Sequence, residues 1–190
     1  VRKNANRDMA KAESARYYFA SVTGVDRAFG MILDALKEAG LDENTVVVFS
    51  SDHGETMCSQ NTDDPKNSPY TESMNVPFII RYGSRLKPHV DNLLLSSPDI
   101  MPTMLGMAGL HDKIPAEIQG VDYSPLFYQP GSESVKRPDA ALYIQNMDGN
   151  KDAQGNVVDY FPSARGIKTH QYTMAVYIDR NNNRKRVLLF

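Results

Sequence analysis

Val46–Glu55 reads VVVFSSDHGE: four bulky residues in a row, two serines, then Asp52, His53, Gly54 and Glu55. An apolar run without polar alternation predicts a strand buried on both faces of a parallel sheet. The polar cluster follows at once, so it belongs where that strand ends and the chain turns. In open α/β sheets, ligands collect in the crevice outside the carboxyl ends of the strands. A carboxylate, an imidazole and a glycine at such an edge can bind a metal, with Gly54 allowing the backbone to turn tightly beside it. The same residue types also cap helices and form turns. The tetrapeptide by itself leaves both roles open.

Upstream, Arg7 to Ala39 has helical periodicity. Val22, Val25, Phe29, Ile32, Leu33 and Leu36 recur at three- and four-residue steps on one face. Gly40 is the expected terminator, in the left-handed conformation, and Asp26 reads as a carboxylate on the helix surface. Downstream, Asp52 to Tyr70 is a long polar loop without periodicity, which marks it as functional or mobile. Val76 to Tyr82 reads as a second strand, with Pro77 near its start. SSPDIMPTMLGMAGL, between Leu93 and Leu110, predicts a helix with Met101, Met104, Leu105 and Ala108 inward, the methionines filling core. Gln129–Asp139 is rich in Pro, Gly, Ser and charge and reads as a linker. Beyond it, Ala141–Gln145, Ala164–Thr169, Tyr172–Ile178 and Arg186–Phe190 predict short strands. Turns fall at Asp148–Gly155 and Asp179–Asn183.

The 190 residues suffice for a sizeable core. A hydrophobic content of 41%, a charged content of 23% and a formal charge of −2 leave no footprint for nucleic acid. No apolar run reaches membrane-spanning length. One cysteine, Cys58, excludes an internal disulfide framework. Both ends break off in mid-pattern, so a piece of a longer protein is expected.

GLDENTVVVFSSDHGE, followed by PKNSPYTESMNVPFIIRY, resembles the C-terminal half of the type I sulfatases of the alkaline-phosphatase-like superfamily. The matching residues are Leu36, Lys37, Glu38, Ala39 and Gly40, then Asp52, His53, Gly54 and Glu55. Lys66, Tyr70, Glu72, Ser73, Val76 and Pro77 follow at compatible spacing. SPDIMPTML resembles the family's aspartate-x-x-Pro-Thr-x-Leu helix, QGVDYSPL its closing glycine-x-Ser-Leu segment, and ARGIKTHQYT a strand of its small C-terminal subdomain. The resemblance implies an α/β alkaline-phosphatase-like three-layer sandwich, present in part, with a small antiparallel α+β subdomain. Residues 1–128 would be the α/β part, 129–139 the linker, and 140–190 the subdomain, truncated.

The implied chemistry is metal-assisted hydrolysis of sulfate esters, of carbohydrates or aryl sulfates, with a formylglycine nucleophile. No Cys/Ser-x-Pro-x-Arg motif occurs here, so that residue lies outside this chain, as does the family's Asp-Asp pair. The fragment alone should bind metal weakly and hydrolyse nothing. By the resemblance, Asp52 and His53 hold the divalent cation and His53 can also touch the sulfate or nucleophile. Lys66 contacts the sulfate, and Arg165 reaches the substrate. Calcium is the first choice of ion. Zinc or manganese belongs to the alternative of a phosphoryl-transfer enzyme of the same superfamily, and histidine suits zinc better than calcium. A third alternative is a non-catalytic, ligand-binding relative. It draws on SQNTDDP standing where the family has Gly-x-His-Gly. Implied partners are a sulfated small molecule or glycan and the N-terminal half of the same protein, with neither nucleic acid nor membrane. Family habit places the protein in the periplasm or outside the cell. Glu55, Asp63, Asp64, His89, His111, His170 and Cys58 read as turn, solvated or surface residues.

Overall fold

The computed structural model describes residues 13–57, 59–61, 66–145, 150–159, 163–179, 181 and 183–190; at 13, 14, 61, 150, 151 and 157–159 only the backbone is described. The expectations for Cys58, Asp63, Asp64 and the start of the 148–155 turn lie outside the described residues, as does the helical reading of residues 7–12. The chain divides into two compact units, Val1–His89 and Val90–Phe190.

In the first unit, α1 (Glu13–Glu38) ends as the sequence dictates. Gly40 adopts φ 67°, its N–H donates to Lys37 O, and Leu41 N–H donates to Leu36 O. This is a Schellman motif, in which glycine takes the left-handed position at no steric cost. The apolar stripe is only partly used. Phe29 stacks on Phe49 with ring centroids 4.9 Å apart, but Val22, Val25 and Ile32 stay more than half exposed. The periodicity identified the face correctly, and its far end finds no cover among the described residues.

The strand of the opening decapeptide, β1 (Val47–Ser50), is followed by the short helix α2 (Thr71–Met74) and then β2 (Phe78–Arg81). β1 pairs antiparallel with β2 in register Val47↔Arg81 to Ser50↔Phe78, as a two-stranded ribbon. The expectation of a parallel neighbour is corrected for this pair, and among the described residues β1 is half-buried or exposed. An apolar run reports a preference for burial, not the direction or number of the strands beside it. The ribbon's far end is tied by Arg81 Nη2 to Asp42 Oδ2 at 3.2 Å and by Ser84 N–H to Glu43 Oε2 at 2.9 Å.

The second unit opens with α3 (Ser97–Met107), capped by a reciprocal Ser96–Asp99 box. That box satisfies two orphan N–H groups of the first turn. Its inward face is not the one the methionines marked: Asp99, Pro102, Thr103, Gly106 and Met107 are buried, whereas Met101 and Ala108 are exposed. Small and polar residues win because the QGVDY segment comes close enough to hydrogen-bond with them. Val121 N–H donates to Asp99 Oδ1, Tyr123 N–H donates to Thr103 Oγ1, and the Thr103 hydroxyl donates to Val121 O. A Cβ on Gly106 would lie 2.2 Å from the Asp122 carboxylate. α4 (Ser124–Tyr128) then buries Leu126. That is a contribution of about 1.5–3 kcal/mol for a side chain so enclosed. Within the segment read as a linker, Arg137 makes a two-pronged pair with Asp91, at 2.7 and 2.6 Å.

The remaining strands are β3 (Ala141–Gln145), β4 (Asn150–Lys151), β5 (Val157–Asp159), β6 (Ser163–Lys168), β7 (Thr173–Ile178) and β8 (Arg184–Leu189). β4 and β5 form a small hairpin that the sequence reading placed only as a turn. The other four form an antiparallel sheet in the order β3-β6-β7-β8. One face carries buried Ala164, Ala175 and Leu188; the other carries the row Leu142–Ile167–Met174–Leu189, which is open to solvent. No helix among the described residues is long and apolar enough to cross a membrane.

Candidate functional site

Asp52 and His53 follow β1 directly, in a bend that their own hydrogen bonds define. His53 N–H donates to Asp52 Oδ1 at 2.9 Å, and the Ser51 hydroxyl donates to His53 O at 2.8 Å, with Asp52 Oδ1 3.3 Å away. The His53 backbone N–H and the nearby imidazole hold the Asp52 carboxyl below its ordinary value, so it is ionised at neutral pH. His53 Nδ1 lies 2.9 Å from Gly54 O. A carbonyl only accepts, so Nδ1 carries a proton and donates it to Gly54 O, leaving Nε2 as the ring nitrogen on the Asp52 side. That nitrogen sits 3.5 Å from Asp52 Oδ2, and the Asp52 side chain is 82% exposed.

Gly54 fixes this pair against α2. Its N–H donates to Ser73 O at 2.7 Å, and a Cβ at this position would lie 2.0 Å from Glu72 O. Beyond Gly54, Glu55 turns back to accept from Met57 N–H rather than orienting His53. Thr56 is buried, and its hydroxyl has no hydrogen-bond partner among the described residues. Met57 (φ 48°) and Gln60 (φ 63°) are non-glycine residues in the left-handed region. Gln60 Nε2 donates to Glu72 Oε1 at 3.0 Å, and Ser59 Oγ lies 3.0 Å from the same oxygen. Lys66 is exposed in a bend at the far end of the loop, two residues before Ser68. Ser68 is buried, with its hydroxyl 2.7 Å from that of Ser73.

The structure therefore brings Asp52 and His53 together and places Lys66 on the same loop. Arg165 stands exposed on β6 of the other compact unit, opposite Ile144 and Val176. His89 and His170 are exposed, and His111 is taken by Asp122, Nδ1 to Oδ2 at 2.8 Å. The sequence reading quoted Glu72 and Ser73 but gave them no role. The Glu72 partners Ser59 and Gln60 lie thirteen and twelve positions back, beyond the reach of any local pattern.

As a cation seat the pair fits in part. A carboxylate oxygen and an imidazole nitrogen face each other, and the second ring nitrogen is anchored on a carbonyl, as metal-ligating histidines are. No group of three or more His, Cys, Asp or Glu side chains clusters among the described residues. Zinc takes four ligands and calcium six or more, so two donors are one side of a site.

Two family models match the chain: "Sulfatase" over residues 2–110, and "N-sulphoglucosamine sulphohydrolase, C-terminal" over residues 64–186. An Endo-4-O-sulfatase of Bacteroides thetaiotaomicron is 64% identical over all of this chain, which covers 37% of that protein. A solved structure from Bacteroides thetaiotaomicron, described in connection with the metabolism of multiple glycosaminoglycans, superposes with TM-score 0.86 at 64% identity. The match covers 98% of this chain and 39% of that one. Another, in complex with its substrate D-glucosamine-2-N,6-O-disulfate, superposes with TM-score 0.75 at 26% identity, covering 93% and 33%. The chain thus spans between about a third and two fifths of the length of these relatives.

Proposed function

The chain belongs to the sulfatase family, with that family's alkaline-phosphatase-like fold, and we propose that it is part of a sulfuric ester hydrolase acting on a sulfated glycan. The observation that carries this is the 64% identity, over the whole of the chain, to an Endo-4-O-sulfatase. On that ground the substrate is a sulfate ester at O4 of a sugar inside a glycosaminoglycan-like polymer. The phosphoryl-transfer alternative is less favoured, because the relatives of highest identity described above are sulfatases. Periplasmic or extracellular placement belongs to the same proposal, and cell fractionation would test it.

In this reading Asp52 supplies an ionised oxygen to a divalent cation and His53 its Nε2. The remaining ligands come from other parts of the enzyme. When bound, the cation supplies Lewis-acid charge at the sulfate oxygens, and the family's formylglycine, outside these residues, supplies the attacking oxygen. Lys66 places a point charge on a flexible stem against the sulfate, where negative charge builds in the transition state. Arg165 remains the candidate for a further substrate contact, by the family resemblance.

The test is Asp52→Ala in the full-length enzyme carrying this chain, assayed by sulfate release from a 4-O-sulfated oligosaccharide. Asp52 acts by holding the cation, and losing one preorganised group that stabilises transition-state charge costs about 10²–10³-fold in kcat. Activity equal to that of the unsubstituted enzyme would remove Asp52 from the site.

A further inference from the structure

Three limbs of the chain converge on α2, a helix of only four residues (Thr71–Met74). Gly54, next to the Asp52–His53 pair, donates its N–H to Ser73 O at 2.7 Å. Gln60 and Ser59, from the middle of the loop, both meet Glu72 Oε1 at 3.0 Å. Ser68, two residues after Lys66, meets Ser73 hydroxyl to hydroxyl at 2.7 Å in a buried contact. The loop that separates the cation-side residues from the sulfate-side lysine is thus pinned at its start, middle and end to one short element.

From this convergence we infer that α2 is a brace setting the spacing between Asp52–His53 and Lys66, and that Glu72 is a positioning residue for sulfate-ester cleavage. The inference rests on the sulfatase reading above. Glu72 acts through the loop and touches neither substrate nor cation. The loop is held under load at this point, since Met57 and Gln60 keep left-handed backbones, which cost of order 1–3 kcal/mol each and persist only where the surroundings over-determine them. Gln60 is both a strained residue and the donor to Glu72. Burial pushes the Glu72 carboxyl up, but hydrogen bonds from Gln60, its own backbone and Ser59 bring it below the ordinary value. The clasp is therefore an ionised acceptor, the stronger kind. Catalytic groups must be held to within about 0.5 Å, and a misplacement of about 1 Å costs roughly 10²-fold.

The experiment is a double-mutant cycle of Glu72→Ala and Gln60→Ala in the full-length enzyme, with Glu72→Gln as the conservative variant. Sulfate release, affinity for the divalent cation and limited proteolysis within 56–67 are the readouts. Glu72→Ala should lower kcat/KM about 10–100-fold with cation affinity unchanged. Gln60→Ala should lower it less, and the double variant should be no worse than Glu72→Ala, because both remove one contact. Glu72→Gln keeps an acceptor oxygen and should recover most of the activity and the protease resistance. Fully additive losses, or a Glu72→Ala enzyme with unchanged kcat/KM, would overturn the brace. If Glu72→Ala fails to fold, Gln60→Ala carries the test alone, and unchanged activity and cleavage in it have the same meaning. A full-length enzyme that releases no sulfate sinks the sulfatase reading instead. The brace then stands or falls on whether the 56–67 loop of Glu72→Ala is cut faster than that of Glu72→Gln.

Discussion

Replacing Gly54 by alanine probes the closest backbone approach at the site. The added Cβ would lie 2.0 Å from Glu72 O, 3.0 Å from Glu72 C and 3.3 Å from Ser73 C, all main-chain atoms that cannot swing aside. An ordinary contact begins near 3.4 Å, so α2 would have to retreat by about 1.4 Å. That movement breaks the 2.7 Å bond from Gly54 N–H to Ser73 O, a loss of about 1 kcal/mol. Overpacking adds about 1–3 kcal/mol, for a total of roughly 2–4 kcal/mol. Urea denaturation should register it as a midpoint about 1–2 M lower, with the slope unchanged. Gly24→Ala is the control. It lies within α1, a Cβ there meets nothing within 4 Å, and it should stabilise by about 0.5–1 kcal/mol. A Gly54→Ala midpoint equal to or above that of the unsubstituted protein would refute the steric argument.

Other perturbations have defined outcomes. Thr103→Val leaves the buried Tyr123 N–H without its acceptor and should lower stability by about 1–3 kcal/mol in the same assay; no change would mean another acceptor takes over. Asp179 is held down to about 2 by Lys185 and by the N–H groups of Asn183 and Asn181. Its folded value lies below the unfolded one of 3.8, so its stabilisation is complete above pH 3.8 and is lost as pH falls through 2. An NMR titration should show that low midpoint, and Lys185→Ala should raise it. His53→Ala in the full-length enzyme should weaken affinity for the divalent cation by calorimetry by at least the roughly 10–100-fold that loss of a ligand's supporting partner costs. Equal affinity would take His53 off the ion.

The elements were largely legible. Short strand-like runs between turn residues located β3, β6, β7 and β8 to within a few residues, and Gly40 announced the end of α1. What failed was anything decided by a partner distant in sequence. VVVF marked a strand correctly but could not say that FIIR would run antiparallel beside it. The methionines of α3 suggested one inward face; Asp99, Thr103 and Gly106 took that role because QGVDY docks on them. Asp52 and His53 stood out as neighbours in the chain, whereas Glu72 engages residues twelve and thirteen positions back. Four residues of helix carry no periodicity to read.

The open row Leu142–Ile167–Met174–Leu189 bears on how the chain is made. A nascent sheet that emerges from the ribosome with four aliphatic side chains abreast is a ready target for chaperones that grip hydrophobic surface. Until that row is covered, copies at micromolar concentration would adhere face to face. Cool induction, low expression and co-synthesis with whatever covers the sheet are therefore the conditions under which this chain should accumulate in soluble form.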